Sequence, residues 1–537
     1  MVTHQVFNQV PPLIDYDAAA IDVALGETVD RLAGGAARPG LSELGVRVGD
    51  GEIQTAARAA NAVVPVLRTH DAAGHRVDEV EFHPAWHELM TVAVESGLGG
   101  AAWRSDDPHA HVRRTAGFYV WSQAEAAHGC PISMTYAAVP AVRESPDLAA
   151  RYEPGLTATR YQFGLAEPTG KRGLLAGMGM TEKQGGSDVR ANTTRAVAQA
   201  DGTYSITGHK WFCSAPMSDL FLVLAQTDVG LACLLVPRVL PDGVRNVFRI
   251  QRLKDKLGNR ANASAEVEFD GIVGWLIGEA GRGLVAILEM VAMTRLDWVT
   301  GSAAGQRAAL VQAIHHARHR RAFGAPLIDQ PLMEVVLADL AIEVEAAMAL
   351  SLRLAAAVDA DERNLLRLGL AASKFWVCKR TPAVVGEALE CLGGNGYVEE
   401  SVLPRLFRES PLNSIWEGSG NVMCLDVVRA VDREPTAVAA VLAEIALGAG
   451  ADRRLDAAIA VLEKEIAAPS AIRARRLASS LALCLQGSLL VRFAAPAVAD
   501  AFCASRLGDD WGGGPSVLGA PGAPMDVATI LARAFPA

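Results

Sequence analysis

The chain has 537 residues, too many for one hydrophobic core, so several domains are expected. Half of its residues are hydrophobic and a fifth are charged, an ordinary globular composition that argues against long disordered tracts. The net charge of −10 excludes a global pull toward polyanions, so a nucleic-acid partner would need a local basic patch.

In chain order, the first twelve residues show no basic stretch followed by an apolar run, so no signal peptide is read there and a cytoplasmic protein is expected. From Asp15 to about Leu175 the pattern is mostly helical. Asp15–Leu32 repeats apolar residues at helical spacing and stops before Gly34. Pro84 stands where a first helical residue would, opening 85–95, and His111–Ala127 reads as another amphipathic helix. The texture changes near Gly177. Two short strands, 194–200 and 203–207, flank the turn Asp201-Gly202, and 221–226, 231–236 and 265–269 are further strands. Helical segments resume at 284–295, 305–321, 331–357, 364–392 and 419–433, lengths that suit a four-helix bundle. An Ala-rich helical stretch runs on to Leu507, and the Gly- and Pro-rich tail 508–522 is expected to be mobile. The expected organisation is α+β. It comprises an N-terminal helical domain (1–176), a central β domain (177–284), a helical bundle (285–432) and an extra C-terminal helical region (433–537).

Eight scattered cysteines without a CxxC pair read as buried thiols in a reducing compartment. The longest weakly polar stretch, 477–491, is too short to span a bilayer. His83 and His87 have metal-like i, i+4 spacing, but no third ligand accompanies them, so no metal is expected. No Gly-x-Gly-x-x-Gly follows a strand and opens a helix, which disfavours a nicotinamide fold.

The run Met178-Gly179-Met180-Thr181-Glu182-Lys183-Gln184-Gly185-Gly186-Ser187-Asp188 packs hydroxyls, an amide and three glycines into one loop. It offers backbone N–H groups and short donors to an anionic or heteroaromatic ligand, although an elaborate turn fits it too. The run resembles the acyl-CoA dehydrogenase signature, and the match continues in order. Gly208-His209-Lys210-Trp211-Phe212 is similar to the family's Gly-x-Lys-x-Trp strand, Arg320-Arg321-Ala322-Phe323-Gly324 to Arg-x-x-Phe-Gly, Leu392-Gly393-Gly394 to the Gly-rich loop, and Ile415-Trp416-Glu417-Gly418 to Ile-Tyr-Glu-Gly. The likeness is closer still to the AidB branch, proteins of the bacterial response to DNA alkylation. His4–Gln9, Phe82–His87, Arg252–Lys256 and Asn413–Asn421 carry it.

The resemblance implies the acyl-CoA dehydrogenase fold, with helical, β-barrel-like and four-helix-bundle domains. It also implies an FAD cofactor, a homotetramer and, as electron acceptor, a protein such as an electron-transfer flavoprotein. Met178, Gly179, Met180, Thr181, Gly186, Ser187, Trp211, Phe212, Gln330, Gly393, Gly394, Ile415, Trp416, Gly418, Ser419, Gly420 and Asn421 are the implied flavin contacts. Arg320 and Phe323 join them, the arginine reaching the FAD pyrophosphate of a neighbouring subunit. Where the family has Thr or Ser two residues after the tryptophan, this chain has Cys213 followed by Ser214, and either is open as the contact. Glu417 is the implied base, removing the α-proton of an acyl-CoA thioester while the β-hydride passes to flavin N5. Its apolar flank, Ile415 and Trp416, would raise its pKa by desolvation. Spacing alone also fits Glu417 as an acidic residue at a helix start, and the basic run 315–321 as a solvated helix end. The indole of Trp416, where the family has tyrosine, puts a simple straight-chain substrate in doubt.

The AidB likeness raises an alternative, a flavoprotein that binds double-stranded DNA with little dehydrogenase activity. Arg473, Arg475 and Arg476 are the candidate patch. Yet residues 431–537 carry ten Lys or Arg against eleven Asp or Glu, and a solvated helix face explains the cluster as well.

Overall fold

The computed structural model describes residues 3–508, 517–522 and 524–536. The chain forms two compact units. One comprises Met1–Gln54, His111–Ala124 and Arg295–Ala537, and the other Thr55–Ala110 and Glu125–Thr294. Of the tail expected to be mobile, residues 509–516 lie outside the described residues.

The second unit is built round a barrel. Its N-terminal part, read as mostly helical, also holds a hairpin of β1 (Val66–His70) and β2 (Arg76–Glu81). Charged residues at Arg68, Arg76, Asp78, Glu79 and Glu81 hid these strands from a search for apolar alternation. Asp78 ties the hairpin to the barrel, accepting a bond from Ile250 N–H at 2.9 Å. The barrel strands are β3 (Ala176–Gly179), β4 (Arg195–Ala198), β5 (Tyr204–Ser214), β6 (Leu220–Thr227), β7 (Gly230–Pro237), β8 (Phe248–Leu253) and β9 (Ser264–Ile277). They run in the order β3-β6-β4-β5-β9-β7, and pairing of β6 with β7 closes the sheet while β8 lies on β9. Closure removes the exposed edges of the ring. Ile206, Phe221, Val223, Phe248, Ile250, Val267, Phe269 and Ile272 fill its interior.

The first unit is helical. Gly283–His319 is one helix of 37 residues, where two segments were anticipated, and it enters this unit at Arg295. Gly301 and Gly305 do not break it, because tertiary packing outweighs their low helix propensity. With Pro331–Asp359, Arg363–Cys391 and Gly420–Arg433 it makes four long helices. The first helix of the chain begins at Val23, not near Asp15, because Asp22 caps it by accepting from Leu25 N–H. Further helices follow, among them Pro435–Ala446, Arg453–Ala467, Ala474–Phe493 and Val527–Ala534. Arg380 and Arg506 both grip the buried Glu343, at 2.9 and 3.0 Å, and hold its carboxyl down to about 2. All eight cysteines are buried. No helix among the described residues is long and apolar enough to cross a membrane.

Candidate active site

In the barrel unit the run read as one loop begins as strand, Met178 and Gly179 closing β3, and the loop proper, 180–188, folds around Glu182. Its carboxylate accepts from Thr193 N–H (2.7 Å) and Oγ1 (2.9 Å), Thr194 N–H (3.1 Å), Gln184 Nε2 (2.7 Å) and Lys210 Nζ (2.8 Å). Both members of the Glu182–Lys210 pair are 0% exposed. Lys210 and the backbone donors hold the carboxyl far below its usual range, overcoming burial, while burial lowers the pKa of Lys210. The loop is therefore anchored from inside. Ser187 remains exposed, and Gly186 approaches so closely that a Cβ there would lie 2.4 Å from Thr181 Oγ1. Glu182 is not among the residues chosen from sequence, although its place inside the Thr-Glu motif was the signal.

Trp211 joins this loop directly, its N–H donating to Thr181 O at 2.8 Å. Between Lys210 and Cys213 three steps on β5 oppose two on β9, a bulge that re-aims the side chains of Trp211 and Phe212. Phe212 is half exposed, and Lys254 Nζ lies 3.3 Å from the Trp211 ring centroid while also pairing with Glu266 at 2.6 Å. Cys213 points the other way, fully buried in the barrel core, where burial pushes its thiol up to about 12. Ser214 Oγ shares a 3.1 Å hydrogen bond with Ser264 Oγ. Met178 and Gly179 are buried strand residues of β3.

In the helical unit the Ile415–Asn421 turn precedes the Gly420–Arg433 helix. Glu417 has φ +57°, the left-handed region that side chains disfavour, and Gly418 follows at φ +106°. Three successive carbonyls are held by two cations, the buried Lys374 and the partly buried Arg295. Lys374 Nζ donates to Trp416 O and Gly418 O, each at 2.7 Å, and Arg295 Nε donates to Glu417 O at 3.1 Å. Arg295 is in turn 3.4 Å from Asp426, which also pairs with Arg367 at 3.0 Å. The Trp416 indole lies against Trp298, ring centroids 4.3 Å apart, and donates to Asn413 Oδ1 at 3.0 Å. Lys374, Arg295 and Trp298 were not singled out from sequence. For Lys374 the signal was a lone lysine in the run Leu370–Cys378, otherwise apolar but for Ser373.

The remaining candidates of this unit are spread over three places. Arg320 donates to Asn8 O, beside the small hairpin of β10 (Arg321–Ala322) and β11 (Ala325–Pro326), and Gln330 Nε2 donates to Ala322 O at 3.3 Å. Phe323, at the hairpin tip, is 98% exposed with φ +51°. Gly393 and Gly394 follow the Arg363–Cys391 helix, exposed, and a Cβ on either would meet nothing within 4 Å. Arg473 and Arg476 both pair with the buried Glu465, at 3.1 and 2.5 Å, and Arg475 donates to Asn421 Oδ1 at 3.0 Å. His83 caps the Pro84–Glu95 helix and His87 bonds Tyr161 at 2.9 Å, and no metal-suited cluster occurs among the described residues.

Three family models match the chain. They are the adaptive response protein AidB N-terminal domain over residues 8–163, the acyl-CoA dehydrogenase middle domain over 177–272, and the acyl-CoA dehydrogenase C-terminal domain over 281–431. AidB of Escherichia coli (strain K12) is 47% identical over 512 residues, 94% of this chain and 94% of that protein. Acyl-CoA dehydrogenase family member 11 of Caenorhabditis elegans is 32% identical over 410 residues, 72% of this chain and 66% of that protein. The crystal structure of Caenorhabditis elegans ACDH-11 in complex with C11-CoA matches with a TM-score of 0.86 and 26% identity over 94% of each chain. The chain thus belongs to the acyl-CoA dehydrogenase superfamily, FAD-dependent oxidoreductases acting on the CH–CH bond of acyl-CoA thioesters, and within it to the AidB branch.

Proposed function

We propose that this chain is an FAD-dependent acyl-CoA dehydrogenase in which Glu417 is the catalytic base. The observation that carries the reading is the Ile415–Asn421 turn. It keeps a carboxylate-bearing residue in a disfavoured backbone conformation, with its carbonyls held by the buried Lys374 and the partly buried Arg295. Strain retained in this way is a mark of functional sites. The residues present also fit the cofactor. The loop at Met178–Asp188 is rigid from inside yet leaves Ser187 exposed, and Gly185, Gly393 and Gly394 have open space where a side chain would stand. Trp211 adds an aromatic ring next to this loop.

FAD, when bound, supplies N5 as acceptor of the substrate's β-hydride. Glu417 takes the α-proton, and the electrons of that C–H bond become the new Cα=Cβ bond as the hydride leaves. The indoles of Trp416 and Trp298, tilted against each other with ring centroids 4.3 Å apart, put apolar surface beside the turn that bears the base, which argues against a simple straight-chain acyl group. Arg320 and the exposed Phe323 serve a neighbouring chain in a homotetramer, and an electron-transfer flavoprotein is the class of acceptor that would reoxidise the enzyme. A DNA-binding role is less well supported, because two of its three arginines are engaged by Glu465 and the third by Asn421.

Purified protein is expected to be yellow and to release FAD on denaturation. Glu417→Gln should keep the FAD and slow its reduction by isovaleryl-CoA by about 10²–10⁴-fold, the usual contribution of a positioned base. A colourless protein that FAD cannot reconstitute would overturn the cofactor assignment, and equal bleaching in both proteins would place the base elsewhere.

A further inference from the structure

Lys374 lies midway along the Arg363–Cys391 helix and is 1% exposed. A buried ammonium is costly unless something in the fold needs it. Its two hydrogen bonds run to main-chain carbonyls, those of Trp416 and Gly418, both at 2.7 Å. These two residues flank Glu417, whose own carbonyl accepts from Arg295. Without these donors the three carbonyls would lose their hydrogen bonds, and a non-glycine residue at φ +57° would relax toward negative φ.

We propose that Lys374 is the positioning residue of the active-site base. It bridges the carbonyls on either side of Glu417, locks the left-handed turn and thereby sets where the carboxylate points. Arg295 secures the middle carbonyl from the Gly283–His319 helix, so the turn is held from two helices at once. Burial, which brings the ammonium down to about 8, is consistent with a charge kept for this purpose. The inference rests on Glu417 being the base, but it makes a separate claim about what fixes the turn.

The test uses FAD-loaded, full-length protein. Lys374→Met keeps the length of the side chain and removes both donors, while Lys374→Gln keeps an N–H donor without the charge. Crystal structures of the variants should show Glu417 out of the left-handed region, or its turn without a single conformation. Stopped-flow bleaching by saturating isovaleryl-CoA should fall about 10–100-fold in the Met variant, the scale of a misplacement of roughly 1 Å, and less in the Gln variant. The rate is read per bound FAD, and isovaleryl-CoA affinity should stay unchanged, so the loss is in rate and not in substrate binding. If Lys374→Met does not fold, the Gln variant is read alone by the same two measurements. A turn that keeps φ near +57° in the variant overturns the inference, as does an unchanged bleaching rate alongside an inactive Glu417→Gln. If Glu417→Gln bleaches like wild type, or isovaleryl-CoA reduces neither, the base assignment or the substrate is what has failed, and the variant's turn geometry then decides whether Lys374 holds it.

Discussion

Lys374 shows how one residue can serve chemistry against stability. Its ammonium ordinarily titrates near 10.5 and in the fold near 8, because burial disfavours the charge. A folded-state pKa below the unfolded one means that its favourable contribution is fully present above pH 10.5 and is lost as pH falls through about 8. Wild-type stability should therefore gain on that of Lys374→Met between pH 8 and 10.5, by up to about 1.4 kcal/mol per pH unit, in paired urea titrations. A constant difference across that window would show that burial does not lower the pKa of this lysine in the fold. Legibility at this scale was uneven. Glu417, Thr181 and Trp211 were chosen on motif order, and the structure ties the last two together by a backbone hydrogen bond. Glu182 and Lys374 were overlooked because a lone charge in a sequence reads as solvated, and only the fold shows which charges are 0 or 1% exposed.

Among the elements, helices and apolar strands announced themselves, whereas boundaries and breaks did not. Two glycines show why. Gly305 lies inside the Gly283–His319 helix, and a Cβ there would meet nothing within 4 Å. Gly283, at the start of the same helix, would put a Cβ 2.2 Å from the carbonyl carbon of Ala232. Sequence presents both as breakers, but only one answers to a steric demand. Gly305→Ala should stabilise the protein by about 0.5–1 kcal/mol through lost unfolded-state freedom. Gly283→Ala should destabilise it by about 1–3 kcal/mol through overpacking. Thermal unfolding of the two variants checks the pair, and equal shifts would contradict the geometry. The β5 bulge was equally invisible, since one extra residue in a strand leaves no compositional trace, yet it falls at Trp211, whose backbone N–H reaches Thr181 O.

At the scale of the whole molecule, net charge and length bounded the answer without identifying it; the ordered motifs did that. Val6, Phe7 and Phe323 are among the exposed large apolar side chains, at 72, 75 and 98%. Asn8 fastens that N-terminal arm to the Arg321 hairpin through a 2.9 Å bond each way. Such surface is characteristic of subunit contacts. We expect sedimentation to give about four times the 56.6 kDa chain mass, and Phe323→Glu to lower it while weakening FAD retention. A monodisperse 56.6 kDa species with FAD bound would remove both the assembly and the role of Arg320 across it.

The complete burial of the thiols gives the molecule a built-in clock. Cys130, Cys213 and Cys233 belong to the barrel unit, and Cys378, Cys391, Cys424, Cys484 and Cys503 to the helical one. Burial also pushes several of them up to about 12, so the native chain presents little thiolate to an electrophile. Pulsed labelling with iodoacetamide during slow urea unfolding should then add mass in steps of up to three and five adducts if the units open separately. A single step to eight would show that they open together. For a protein of the AidB branch, the same arrangement means that an alkylating agent finds little ready thiolate on it while it remains folded.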